Sequence, residues 1–144
     1  MISLEANQLD QIKRIGESAY PNECCGVLVG SVHDGNKHVS EVIEAENQRD
    51  DSAANRYLIA PDFILKLERR LAGTGSEILG FFHSHPDVPA KPSVYDRDHA
   101  WPWYCYLIAS VRKGEAKEVQ AWQLKDDRSD FDPHEWQLRE PDIS

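Results

Sequence analysis

The stretch that most constrains this chain is residues 78–86, where an apolar run leads directly into His-Ser-His-Pro. Residues 78–82 are apolar at every position, a pattern typical of a central strand that is covered on both faces. Side chains two residues apart along a strand point to the same face. We therefore expect His83 and His85 to point the same way and to reach a single ion.

Two further polar residues, Ser93 and Asp96, follow after a proline-rich loop. Two neutral imidazole nitrogens and the Asp96 carboxylate suit zinc, and three protein ligands leave the fourth tetrahedral position open for water. An open position is typical of a catalytic site. A structural interpretation stands beside this one, because Ser-x-x-Asp after Pro92 is also a capping box, and His-x-His alone is a weak signal.

The acidic residue Glu23 favours the metal interpretation. It lies just before the apolar run at residues 25–32, where a solvated turn would tolerate almost any residue. A zinc site that activates water needs one carboxylate that is not a ligand and can accept a proton. Glu23 is the candidate for that role.

Together these residues resemble the motif of the JAMM, or MPN+, metalloprotease family, which is a distant Glu, His-x-His, seven residues, Ser, two residues and Asp. The chain matches it without a gap through Glu23, His83, His85, Ser93 and Asp96. The surrounding sequence is similar to the compact prokaryotic branch at Glu-Cys-Cys-Gly-Val-Leu-Val-Gly, Asn-Arg-Tyr, Phe-Phe-His-Ser-His-Pro-Asp, Lys-Pro-Ser and Ala-Trp-Pro. A motif of five residues in that context is highly specific.

The resemblance implies an α/β fold, a single JAMM/MPN domain over residues 1–144, with a curved mixed sheet flanked by helices and related to cytidine deaminases. The length of 144 residues suits one domain with one core. The deaminase signature, His-x-Glu with Pro-Cys-x-x-Cys, is absent, and deaminase chemistry is therefore set aside.

The resemblance also implies a peptidase mechanism. One zinc ion on His83, His85 and Asp96 would activate water and polarise the scissile carbonyl. Glu23 would act as general base and then as acid for the leaving amine, and Ser93 would donate a hydrogen bond to the oxyanion.

Substrate and partner follow only from the resemblance. We expect a peptide or isopeptide bond after the C-terminal Gly-Gly of a small ubiquitin-like or sulfur-carrier protein, with residues 47–56 flanking the cleft. Two alternatives stay open: a catalytically silent MPN scaffold that binds partners, and a zinc peptidase acting on cell-wall or phage-associated peptides. Silent members usually lose ligands, whereas this chain keeps them all.

Composition and charge argue against several classes of protein. The net charge of −9 argues against nucleic acid as a partner, since phosphate binding needs basic clusters. No apolar run is long enough to span a membrane, and the N-terminal residues lack the pattern of a secretory signal. Three cysteines, of which two are adjacent, are typical of a reducing cytoplasm, and we expect a cytoplasmic protein whose oligomeric state the sequence leaves open. Cys24 and Cys25 should face opposite ways, with at least one of them in the core.

Periodicity and turn signals predict the remaining elements, and the Asp-Gly dipeptide at residues 34–35 predicts a hairpin turn between two of the strands. Asp98, His99, His33, His38 and His134 are expected at the surface, and the tryptophans at the core or rim of the domain. The predicted helices cover residues 6–19, the stretch from Pro61 to Gly73, and residues 93–100; the predicted strands cover 2–4, 25–32, 38–46, 57–59, 78–82, 104–111, 119–124 and 136–138.

Overall fold

A computed structural model describes residues 1–49 and 56–141 of the chain. The segment predicted to flank the cleft, 47–56, therefore lies partly outside the described residues. The elements in chain order are β1 (Ile2–Glu5), α1 (Ala6–Ala19), β2 (Cys25–His33), β3 (Asn36–Ala45), α2 (Pro61–Leu71), β4 (Glu77–Pro86), α3 (Val94–His99), β5 (Cys105–Arg112), β6 (Glu115–Leu124), β7 (Phe131–Pro133) and β8 (Trp136–Arg139).

The strands form one mixed sheet in the order β7-β6-β5-β4-β2-β3-β1-β8. β4 pairs antiparallel with β2 and parallel with β5, so it lies near the middle of the sheet, as its apolar sequence predicts. The antiparallel pair β2 and β3 is joined by a tight turn in which Asp34 and Gly35 both have positive φ. That turn confirms the hairpin expected from the Asp-Gly dipeptide.

The two longer helices cover opposite faces of the sheet. Ile12 of α1 packs with Leu28, Phe82 and Leu107 on one face. Leu67 and Leu71 of α2 pack on the other face, in a cluster with Cys25, Val27, Val29 and Ile78. The fold is thus a curled mixed sheet flanked by helices in a single small domain, as expected.

A close approach sets α1 against the centre of the sheet. A Cβ atom added at Gly16 would lie 3.1 Å from Cγ2 of Val111 and 3.4 Å from Cβ of Ser84. A side chain at this position would require its neighbours to move, so glycine favours the close packing of the helix on β4 and β5.

The predicted elements differ from the structure in several places. Residues 57–59 were predicted as a strand, and this prediction was wrong, because their backbone is irregular and is held by side chains of other segments. β4 continues four residues beyond Phe82, since β5 pairs with it as far as Pro86. The short strand β7 was not predicted; it pairs with β6, which begins at Glu115. No described helix is long and apolar enough to cross a membrane.

Candidate metal centre

The two histidines of the motif lie inside β4, on the face that carries α2. His83 is paired across the sheet with Cys25, which belongs to the cluster on that face. Both histidines are buried, and their Nε2 atoms lie 3.2 Å apart. The strand alternation thus brings the two imidazoles together, as the spacing predicts.

Asp96 reaches the same point from α3. Its Oδ2 atom lies 3.0 Å from Nε2 of His85 and 3.3 Å from Nε2 of His83, and it accepts the backbone N–H of Ser93 at 2.9 Å. Oγ of Ser93 in turn accepts the N–H of Asp96 at 3.1 Å. This is the predicted capping box, and it orients the carboxylate toward the histidines.

The three converging atoms fit a zinc ion. Ligands about 2.0–2.1 Å from a tetrahedral metal are separated from each other by about 3.3 Å. The separations among Nε2 of His83, Nε2 of His85 and Oδ2 of Asp96 are 3.0–3.3 Å. The donor set and its spacing are therefore suited to a small dication with an open fourth position.

Burial and partner contacts set the charge states of these groups. Burial lowers the pKa of His83, and the attraction of Asp96 only partly offsets this effect. Burial acts to lower the pKa of His85, but the hydrogen bond of its ring to the Asp96 carboxylate and the charge of that carboxylate outweigh burial and raise the pKa. Burial acts to raise the pKa of Asp96, but the charge and hydrogen bonds of the histidines lower it overall. Asp96 is thus held as the carboxylate, the form that binds metal.

The loop between the ligands is fastened to its surroundings. Nδ1 of His85 lies 3.0 Å from the carbonyl oxygen of Pro89. A carbonyl can only accept, so Nδ1 carries the proton, and a neutral His85 presents the lone pair of Nε2. The hydroxyl of Ser110 donates to the carbonyl of Val88 at 2.6 Å, and Nε1 of Trp122 donates to the carbonyl of Ala90 at 2.9 Å. These hydrogen bonds hold the loop in place, and its prolines restrict its backbone further.

Glu23 lies beside the histidines in the irregular stretch before β2. The side chain is 5% exposed, and one carboxylate oxygen lies within 4.8 Å of both imidazole nitrogens. By distance alone Glu23 can join the histidines in a ligand set, but Asp96 lies closer to both. Within the described part of the chain, Oε1 of Glu23 and Nδ1 of His83 have no hydrogen-bond partner.

The Glu23 carboxylate has an altered acidity. Burial raises the pKa of Glu23 to about 8, with the charge of His85 acting against the shift and that of Asp96 adding to it. A buried carboxyl with a raised pKa beside a possible ion is suited to proton transfer.

Two hydrogen bonds and one ring stack that were not predicted from the sequence hold these residues in place. Oγ of Ser84 accepts the N–H of Cys24 at 2.8 Å, which ties the Glu23 segment to β4. The Tyr57 ring stacks on the His83 ring with centroids 4.5 Å apart. The hydroxyl of Tyr95 donates to the carbonyl of Tyr57 at 3.0 Å. A serine between two histidines is a detectable signal, whereas the tyrosine contacts arise only through folding.

An aromatic pocket of about 190 Å³ is lined in part by Tyr57, the residue that stacks on His83. Trp101, predicted at the core or rim of the domain, lines this pocket and is 63% exposed. The pocket is lined by Tyr57, Leu58, Ile59, Ile64, Phe81, Tyr95, His99, Trp101 and Tyr106.

The remaining predictions about single residues have mixed outcomes. Asp98 and His99 are exposed, as expected. His134, expected at the surface, is half-buried; burial lowers its pKa to about 4, and its Nε2 atom has no partner among the described residues. Cys24 and Cys25 are both buried and belong to the clusters on opposite faces of the sheet, and both are unpaired.

The curled mixed sheet, the two helical layers and the convergent donor atoms define a JAB/MPN-type domain. The model of a family described as prokaryotic homologs of the JAB domain matches residues 5–125. The chain belongs to this family, and the predicted resemblance to the JAMM/MPN group is confirmed.

The relatives agree with this assignment. The desampylase of Haloferax volcanii is 34% identical over 94 residues, which cover 62% of this chain and 63% of that protein, so a little under two thirds of its length is matched. The solution structure of a protein from Desulfitobacterium hafniense is similar with a TM-score of 0.84 and 31% identity, covering 98% of this chain and 94% of that chain. A structure described as a JAMM metalloprotease-like zinc site in the proteasome and signalosome has a TM-score of 0.58 at 18% identity, covers 96% of both chains, and shares the fold.

Proposed function

We propose that this protein is a zinc-dependent peptidase or isopeptidase that hydrolyses the bond after the C-terminal Gly-Gly of a small ubiquitin-like protein. The observation that carries the proposal is that one buried site combines three converging ligand atoms with a neighbouring carboxylate. Three donor atoms lie 3.0–3.3 Å apart, and beside them lies Oε1 of Glu23, which has no hydrogen-bond partner among the residues that the structure describes.

His83, His85 and Asp96 are proposed to hold the ion. When bound, zinc supplies a Lewis acid that polarises the scissile carbonyl and makes water a stronger nucleophile at neutral pH. Asp96 is suited to its role because it is kept ionised by its neighbours.

Glu23 is proposed to accept the proton of the attacking water and then to deliver it to the leaving amine. Burial raises the pKa of this carboxyl to about 8. Near neutral pH such a group can both accept and donate a proton. Beside a dication the carboxyl would ionise more readily, which favours the accepting form at the start of the reaction.

Ser93 is proposed to stabilise the developing oxyanion. Its Oγ atom already accepts the N–H of Asp96, and a hydroxyl that accepts in this way can still donate its proton. The side chain is exposed at the mouth of the site, where a substrate carbonyl can reach it.

The substrate class is supported by the similarity to a desampylase and by a general steric argument. A groove that aligns one carbonyl with the ligands, Glu23 and Ser93 leaves little width for side chains, so glycine is favoured just before the cut. Three unpaired buried cysteines are compatible with the proposed cytoplasmic location.

The test is hydrolysis of a ubiquitin-like protein whose Gly-Gly tail carries a C-terminal adduct, with and without a chelator. We expect cleavage that the chelator abolishes and zinc restores. A matched substrate in which the penultimate glycine is replaced by valine should be cut much more slowly. Equal cleavage of both substrates, or of unrelated peptides, would indicate a broader peptidase. The absence of chelator-sensitive cleavage would favour the binding scaffold.

A further inference from the structure

The side chain of Asn47 makes four hydrogen bonds, all of them to the backbone. Nδ2 donates to the carbonyl of Glu23 at 3.1 Å and to that of Arg56 at 3.0 Å. Oδ1 accepts the N–H of Arg49 at 3.0 Å and that of Leu58 at 3.1 Å. A carboxamide has two donor hydrogens and two acceptor positions, so its full capacity is used. The partners also fix its orientation, because carbonyls only accept and N–H groups only donate.

One of these four bonds reaches the proposed general base. Glu23 precedes β2, so no strand pairing holds its carbonyl. Its neighbour Cys24 is held by Ser84, through the N–H to Oγ at 2.8 Å and the carbonyl to the N–H of Ser84 at 3.2 Å. Asn47 holds Glu23 itself. Since Oε1 of Glu23 has no partner among the described residues, the place of the carboxylate depends on these backbone contacts.

The other end of the segment held by Asn47 contacts the ligand residues. Leu58 is bonded to Oδ1 of Asn47, and the preceding residue, Tyr57, stacks on His83 at 4.5 Å. The carbonyl of Tyr57 accepts the hydroxyl of Tyr95, the residue before Asp96. One amide group therefore connects the backbone of Glu23 to a segment that packs against both ligand-bearing elements.

We propose that Asn47 is a positioning residue, which acts on hydrolysis through Glu23 by fixing that residue relative to the ligand side chains. This inference rests on the proposed function, because it takes Glu23 as the proton carrier. The competing explanation is that Asn47 merely closes a loop, as many asparagines do. The two explanations differ in whether Glu23 must be present for Asn47 to matter.

A double-mutant cycle separates them. We expect Asn47→Ala to lower kcat about 10- to 100-fold, as loss of a supporting partner typically does, with zinc content unchanged. In a Glu23→Gln background the same substitution should change the residual kcat little, because the group on which Asn47 acts is already removed. An equal loss in both backgrounds would overturn the proposal.

A second variant distinguishes the two ends of the amide. Asn47→Asp has the same shape and keeps the oxygen that accepts from Arg49 and Leu58, but it lacks both donors. If the bond to the Glu23 carbonyl is what matters, kcat should fall as in Asn47→Ala. A kcat near that of the wild type would overturn the proposal. This variant also carries the test if Asn47→Ala fails to fold.

Thr74→Val is the matched control. Its hydroxyl also makes two backbone contacts in a loop, donating to the carbonyl of Leu71 at 2.6 Å and accepting the N–H of Ser76 at 3.1 Å, but in the turn that follows α2. We expect a lower melting temperature and an unchanged kcat. A loss of kcat like that of Asn47→Ala would mean that loosening any loop is enough, which would overturn the proposal.

Hydrogen exchange makes the result independent of catalysis. Asn47→Ala should speed amide exchange in a peptide covering residues 21–25, whereas Thr74→Val should not. If the wild type shows no hydrolysis, the proposed function fails and the catalytic role of Asn47 fails with it, yet faster exchange would still show that Asn47 holds the Glu23 segment. Unchanged exchange, in a protein that does hydrolyse its substrate, would overturn the Asn47 proposal alone.

Discussion

The two buried carboxylates of the site, Asp96 and Glu23, have opposite environments. Asp96 accepts an N–H from Ser93 and lies within 3.3 Å of both histidine Nε2 atoms, and its pKa is lowered. Glu23 is just as buried, but its Oε1 has no partner among the described residues, and its pKa is raised to about 8. Two acids whose environments separate their pKa values are suited to different tasks.

The difference teaches how each half of the site is built. The ligand half comes from one strand and one short helix, whose alternation and capping box place the donor atoms locally. The Glu23 half is irregular and depends on contacts from Ser84 and Asn47, which lie 60 and 24 residues away in sequence. Substitutions of the ligand side chains in the first half should therefore remove metal, whereas substitutions in the Glu23 half should remove only the chemistry.

The largest effect is expected for His85→Ala. Loss of one of three ligands should lower zinc from about one ion per chain to near zero and reduce hydrolysis to background. Metal analysis and the cleavage assay at neutral pH measure both. The exposed His99 offers a control, since His99→Ala should retain zinc. Full zinc content in His85→Ala would contradict the ligand assignment.

Glu23→Gln should keep zinc but lower kcat between about a hundredfold and ten-thousandfold, the usual range for loss of a general base. The substitution preserves shape and removes the proton acceptor. The same two measurements apply. A rate near that of the wild type would mean that Glu23 has no catalytic role and is only a turn residue. The proposed difference between the ligand half and the Glu23 half would then be wrong. Loss of zinc would instead make it a ligand.

Ser93→Ala should keep zinc and lower kcat about a hundredfold if the hydroxyl stabilises the oxyanion. Because Ser93 also caps α3, the variant should lose about 1 kcal/mol of stability as well. Ser93→Gly separates the two roles, since glycine at this position costs only about a few tenths of a kcal/mol. Equal activity of the glycine variant and the wild type would leave only the capping role.

The smallest effect concerns stability against pH in protein stripped of metal. With a folded pKa of about 8 against 4.5 for the ordinary group, folded Glu23 binds more protons than the unfolded chain between these values. Its contribution to stability therefore falls as pH rises through this window. Glu23→Gln should lack this contribution. Its free energy of unfolding should therefore fall less steeply with pH than that of the wild type, by at most about 1.4 kcal/mol per pH unit. Urea unfolding at pH 5–8 measures the difference, and parallel curves for the two proteins would contradict a buried, unpaired carboxyl.

The fold was predictable where local patterns were strong. The apolar period of α1 led to correct boundaries, and the Asp-Gly turn located the hairpin after β2, although β3 begins at Asn36 and not near His38. Both features were predictable because each depends on neighbours in the sequence. Residues 57–59 looked like a strand because they are apolar and aromatic, yet their backbone bonds to the side chains of Asn47 and Tyr95. The full length of β4 depends on its pairing with β5, which local periodicity does not contain.

The sequence by itself determined the five motif residues and their spacing, because strand alternation and helix capping are short-range geometry. His83, His85 and Asp96 meet for that reason. Only the tertiary structure decided where Glu23 lies and how acidic it is, since burial and hydrogen bonding there involve segments far apart in the chain. The role of Asn47 has the same origin. Its four hydrogen bonds join three separate stretches of backbone. Local sequence patterns do not predict such contacts, because they form only when those stretches fold together.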